Sequence, residues 1–176
     1  QRQMCIRDRF SSTAQPPADW EPVFSLPGLQ FVHGGDVPSV AVPAGTELVE
    51  LSAMDVPDML GLVAATRPGP FFSRTHEMGT YLGLRRDGEL VAMAGERLRP
   101  PGWTEISAVC TAPGARGQGF AALLINALVG RIVARGERPF LHALEENRGA
   151  LELYRRLGFE TRASVVFRGF RVPTGV

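Results

Sequence analysis

The stretch that most constrains this chain is VCTAPGARGQGFA, residues 109–121. An apolar run enters it, a loop carrying Gly114, Gly117 and Gly119 follows, and a helical period starts at Phe120. Glycines let a backbone come close to a ligand that side chains would exclude. Unbonded N–H groups and the positive dipole end at a helix start form an anion site. Arg116 adds positive charge at the rim, which suits a pyrophosphate. Three loop types share this outline. A P-loop closes on Gly-Lys-Ser/Thr, whereas Gly119-Phe120-Ala121 stands here. A dinucleotide fingerprint, G-x-G-x-x-G/A, is formally met by Gly117, Gly119 and Ala122, but residues 112–116 separate its first glycine from the strand, and several strands precede it. The third pattern, R-x-x-G-x-G/A, is met by Arg116, Gly119 and Ala121.

Around this loop the sequence alternates strands and helices. Residues 46–51 read as a strand, and Ser52 to Asp55 gives an S-x-x-D helix start with Pro57 in the first turn. A short second helix is expected within residues 71–78. Arg86-Asp87-Gly88, between residues 81–84 and 89–95, is a hairpin signal. A strand over 104–111 leads into the glycine loop, and a helix over about 117–135 keeps its period through Phe120, Leu123, Leu124, Ala127, Leu128 and Ile132. A strand over 139–144, a helix over 147–157 capped by Asn147, and one or two strands over 159–172 complete the order. This is a mixed α/β (α+β) chain, with helices on the faces of a mixed sheet. Residues 11–45, rich in Pro, Gly and Ser, read as an extended arm. Gln1 to Arg9 carries neither period nor cap and resembles translated adapter sequence, so it contributes nothing to the fold expected here. The boundaries are thus an N-terminal extension over 1–45 and one domain over 46–176.

Charge and cysteine content narrow the function. Nineteen basic and eighteen acidic residues are closely mixed, which points to neither nucleic acid nor an anionic membrane. Cys5 and Cys110 form no framework or Cys/His cluster, so no metal is expected and a reducing, cytoplasmic compartment is. The apolar stretch 120–134 is too short to span a bilayer.

Downstream, Asn147 and Tyr154 are seven residues apart, nearly two helical turns, and so share a face. Taken singly, Asn147 is a cap and Tyr154 a core residue. Together, after Leu144-Glu145 and before Leu157-Gly158-Phe159, they complete a second motif. With residues 105–119 and this helix in that order, the chain resembles the GNAT superfamily of N-acetyltransferases over about residues 46–172. The resemblance implies a GNAT fold: a central, mostly antiparallel mixed sheet that splays between strands 104–111 and 139–144, with helices on both faces. It implies acetyl-CoA as cosubstrate and no metal. The pantetheine arm would pair with backbone at Val109, Cys110 and Thr111. The pyrophosphate would sit on N–H groups of Arg116, Gly117, Gln118, Gly119, Phe120 and Ala121, with Asn147 and Ala150 on the other lip.

The resemblance also implies direct attack by an amine of a small molecule, amino acid or peptide. A backbone N–H near Val109–Cys110 could polarise the thioester carbonyl. Tyr154 could protonate the leaving thiolate, since a phenol stays protonated at neutral pH. Glu105 could take the amine proton through water; His142 and Glu145 are alternatives, and an amine arriving neutral needs no base. Arg74, His76 and Glu77 could line the acceptor pocket or form a plain surface turn, and Trp103 could cover the site. His76-Glu77 lacks the second histidine of a zinc motif, since Thr80 stands there. A non-catalytic acyl-CoA-binding module is the competing reading, a dinucleotide enzyme a third. Monomer and homodimer are both compatible with the sequence.

Overall fold

The protein is described as a computed structural model covering residues 9–10, 16–37 and 39–173. The described residues build one eight-stranded sheet, with strands β1 (Arg9–Phe10), β2 (Glu21–His33), β3 (Glu47–Leu51), β4 (Tyr81–Arg86), β5 (Glu89–Glu96), β6 (Trp103–Thr111), β7 (Arg138–Leu144) and β8 (Phe159–Arg171). Their order across the sheet is β1-β8-β2-β7-β6-β5-β4-β3. Every pairing is antiparallel except β6 with β7. The helices are α1 (Val56–Thr66), α2 (Phe120–Ala134) and α3 (Arg148–Arg156).

Local chemistry explains most boundaries. The Ser52 side chain accepts from the Met54 N–H while Asp55 accepts from the Ser52 N–H, closing a capping box before α1. The β4–β5 hairpin turns through Asp87 and Gly88, both at positive φ, as a type I′ turn requires. Residues 71–78 hold a single 3₁₀ turn, Thr75–Met78, rather than an α-helix.

Alternation along the strands divides the core into two layers. Phe31, Leu82, Leu84, Ala92, Ala94, Ile106 and Leu141 face α2 and α3, where Leu124, Ile125, Leu128 and Ile132 are fully buried. Each of these helix side chains contributes roughly 1.5–3 kcal/mol by burial. Tyr81, Met93 and Cys110 face the other way, onto Met59 and Leu62 of α1. The helices therefore lie on both faces of the sheet.

One correction concerns the N-terminal segment. Residues 21–33, read from sequence as part of an extended arm, form the long strand β2 between β7 and β8. Its Pro22, Pro27 and Gly28 look like breakers, yet twelve residue pairs with β8 hold the strand. Gly28 is required by packing: a Cβ there would lie 2.0 Å from the Phe167 ring. The adapter-like segment 1–9 lies, apart from Arg9, outside the described residues.

Candidate active site

The sheet opens where two parallel strands part company. β6 and β7 pair only from Trp103 to Ile106, opposite Arg138 to Leu141, and the register stops there. On its other edge β6 stays paired with β5, but a bulge intervenes: Met93 faces Cys110, and Gly95 faces Ser107. Ala108, inside the bulge, has φ +52°, a left-handed backbone that re-aims the local N–H and C=O groups. Val109, Cys110 and Thr111 follow, on an edge that β7 no longer covers. Such an edge can accept an extended chain as an added strand.

The strand runs into the glycine loop. Gly117 and Gly119 have φ +76° and +80°, and a Cβ on either would meet no atom within 4 Å. Glycine is needed here for the backbone conformation, and the space beside it is open. The first helical bond of α2 runs from the Leu123 N–H to the Gly119 carbonyl. The Phe120, Ala121 and Ala122 N–H groups therefore have no helical acceptor, and no side chain caps them. Helix α2 thus begins at Phe120, where the apolar period begins, rather than at the boundary of about 117 expected from the sequence. Arg116 is exposed, and its Nε donates to the Thr111 carbonyl at 3.3 Å. Arg86, at the end of β4, braces the loop by donating to Gln118 Oε1 at 2.6 Å and lying 5.0 Å from the Phe120 ring centre. Two guanidinium groups and three unbonded N–H groups therefore surround one open cradle, a fit for a pyrophosphate.

Across the opening stands α3. The Asn147 Oδ1 accepts from the Ala150 N–H at 3.2 Å, so the cap is real and the amide NH₂ stays exposed. Tyr154 is 7% exposed, packed against Phe31 and Phe159. Burial pushes its hydroxyl up to about 12, so it keeps its proton throughout the physiological range.

Glu105 is placed differently from a solvated strand end. It is 1% exposed, it accepts from Arg97 Nε and NH2 at 2.9 Å each, and it lies 2.7 Å from His142 Nδ1. Burial pushes its carboxyl up, but the hydrogen bonds from His142 and Arg97 outweigh this and hold it below its ordinary range. His142 therefore joins Glu105 in one network, whereas Glu145 is exposed and outside it. Arg74 and Glu77 pair with each other on an exposed turn, and His76 Nδ1 contacts the Ser73 carbonyl. Trp103 packs edge-on to Phe140, with Arg138 stacked 4.3 Å from its ring centre. No group of described residues could hold a metal ion, and no described helix is long and apolar enough to cross a membrane.

Sequence reasoning missed Tyr81. Its ring lies over Gly95, where an added Cβ would be 2.3 Å away, and its buried hydroxyl has no hydrogen-bond partner among the described residues. Gly95 pairs with Ser107, so this ring is directed at the strand that opens. The available signal was a tyrosine opposite a strand glycine, legible only once the β4–β5 register is known.

A parted parallel pair, a bulged strand and an anion cradle at a helix start together make the scaffold of an acyltransferase. Comparisons agree with this. The FR47-like protein family matches residues 81–167. A GNAT-family protein from Novosphingobium aromaticivorans is 40% identical over 99% of this chain and 77% of its own, with a TM-score of 0.87. A GCN5-related N-acetyltransferase from Kribbella flavida is 26% identical with a TM-score of 0.63, over 89% of this chain and 61% of its own. The ribosomal-protein-S18-alanine N-acetyltransferase of Escherichia coli shares the fold, at 17% identity and a TM-score of 0.61 over 74% of this chain and 96% of its own. No curated protein matches the sequence. The chain belongs to the GNAT family of acetyltransferases and is an acyltransferase.

Proposed function

We propose that this acyltransferase moves an acetyl group from acetyl-CoA to a primary amine of a small molecule, amino acid or peptide, by direct attack. The observation that carries the reading is the opening after Ile106, which runs from a free strand edge to the glycine cradle at the start of α2. Bound there, acetyl-CoA would supply the activated thioester.

Each residue then has one task. Val109, Cys110 and Thr111 offer backbone groups to the pantetheine arm, and an N–H of the bulge faces the developing oxyanion. Arg116, Gly117, Gln118, Gly119, Phe120 and Ala121 hold the pyrophosphate, and Asn147 and Ala150 flank the arm from α3. Tyr154 keeps a proton for the departing thiolate. Glu105 supplies negative charge beside the reacting centre. A cytoplasmic setting suits Cys110, a free buried thiol that burial pushes up to about 11 and so protects from oxidation.

Calorimetric titration with acetyl-CoA tests the reading, in the parent and in Gly119→Glu, which crowds the cradle and sets a carboxylate against the phosphates. Binding by the parent and its loss in the variant are expected. A folded parent that does not bind acetyl-CoA overturns the assignment.

A further inference from the structure

The polar network at the opening extends well beyond Glu105. Arg162 NH1 on β8 donates to Gln30 Oε1 on β2 at 2.5 Å, and Gln30 Nε2 lies 3.0 Å from His142 Nε2 on β7. His142 Nδ1 in turn lies 2.7 Å from Glu105 Oε1 on β6, and Glu105 also takes two N–H groups from Arg97. Chemistry fixes the direction of every bond. A guanidinium has donors only, so the Gln30 atom facing Arg162 is its carbonyl oxygen. The Gln30 NH₂ therefore faces the imidazole and donates to Nε2. That nitrogen is an acceptor, which leaves the ring proton on Nδ1, donated to Glu105. The tautomer is thus set from both sides: the Glu105 carboxylate can only accept from Nδ1, and an exposed arginine turns the Gln30 NH₂ toward Nε2 of a ring whose side chain is 3% exposed.

Both ends of the chain donate toward Glu105, and this has a chemical consequence. A proton arriving on Glu105 could not move on to His142, because Nδ1 already carries one. We propose that Arg162, Gln30 and His142 are positioning residues that hold Glu105 as a fixed carboxylate where the sheet opens, so that it orients charge there and carries no proton. The acceptor's ammonium proton then leaves to water. Among the described residues, the charged and titratable groups bearing on the ring include Glu105, Arg97 and, through Gln30, Arg162, with Tyr81 beside the Glu105 end. This inference rests on the acetyltransferase reading, but its first test does not need that reading to be correct.

The test is nitrogen-15 NMR of the three histidine rings, with His142→Asn to assign the signal. Expected in the wild-type protein is a ring that carries its proton on Nδ1 and accepts at Nε2. Gln30→Glu replaces the donor with a carboxylate, and the ring should become doubly protonated between two acids. Arg162→Met, at an exposed position that leaves the core intact, should free the Gln30 amide to turn its oxygen toward Nε2, so that a fraction of the rings carries protons on both nitrogens. A wild-type ring protonated on Nε2, or variants that both leave the ring unchanged, would overturn the proposal. The acetyl-CoA titration on the same samples reports the transferase reading separately: the ring can behave as expected in a protein that binds no acetyl-CoA.

Discussion

The ring of Tyr81 lies across the backbone of Gly95, so close that a Cβ on the glycine would stand 2.3 Å from ring carbons Cδ1 and Cε1. The two residues face each other on β4 and β5. Gly95→Ala must push the ring aside and should destabilise the protein by about 1–3 kcal/mol, the usual range for overpacking. Tyr81→Phe removes a buried hydroxyl with no partner among the described residues, so it should leave stability unchanged or raised. Urea midpoints of the two variants check both signs.

Tyr81 and Tyr154 are the chain's two tyrosines, and burial is the main cause that pushes each up to about 12. Absorbance of tyrosinate should therefore stay flat in the folded protein to well above pH 10. In the unfolded chain both phenols ionise near pH 10. The folded state then binds more protons than the unfolded state, so stability is complete below pH 10 and falls as pH rises towards 12. A normal titration near pH 10 in folded protein would contradict the burial of both rings.

Tyr154→Phe keeps the packing against Phe31 and Phe159 and loses only the proton. If Tyr154 serves the leaving thiolate, kcat should fall by roughly 10²-fold or more, the range for a general acid, with little change in KM for acetyl-CoA. Steady-state assay of thiol release reads this directly.

At Asn147 capping and the proposed ligand contact can be separated. Asn147→Ala loses the bond to the Ala150 N–H and should cost about 1 kcal/mol of stability. Asn147→Asp keeps a capping oxygen but lacks the NH₂. It should unfold like the parent while binding acetyl-CoA more weakly in calorimetry, which an asparagine that only caps would not do.

Glu137 accepts from Thr104, Arg99 and Arg135, and these bonds hold its carboxyl down at about 2. The stabilisation is present above the ordinary glutamate range and is lost as pH falls from about 4.3 towards 2. Glu137→Gln should therefore narrow the gap between urea midpoints at pH 7 and pH 3.

What could be read from the sequence was local. The Ser52–Asp55 box, the Asp87-Gly88 turn and the Asn147 cap each lie within a few residues, and each took the expected form. Strand β2 escaped because its own composition argues against it and its support comes from residues 138–171. The network around Glu105 escaped for the same reason: Arg97, His142 and Gln30 meet it only through sheet register. Tyr81 looked like an ordinary strand aromatic until Gly95 was placed opposite it.

The position of β2 also sets a timetable. Residues 21–33 leave the ribosome before either neighbour, since β7 and β8 lie more than a hundred residues downstream. At synthesis rates of about 5–20 residues per second, the strand waits on the order of ten seconds for its partners. Phe31 and Leu29 stay uncovered during that time, with both edges open to neighbouring nascent chains. Translation speed between residues 33 and 138, and any chaperone that shields the segment, should govern the yield of folded enzyme in the cell more than equilibrium stability does.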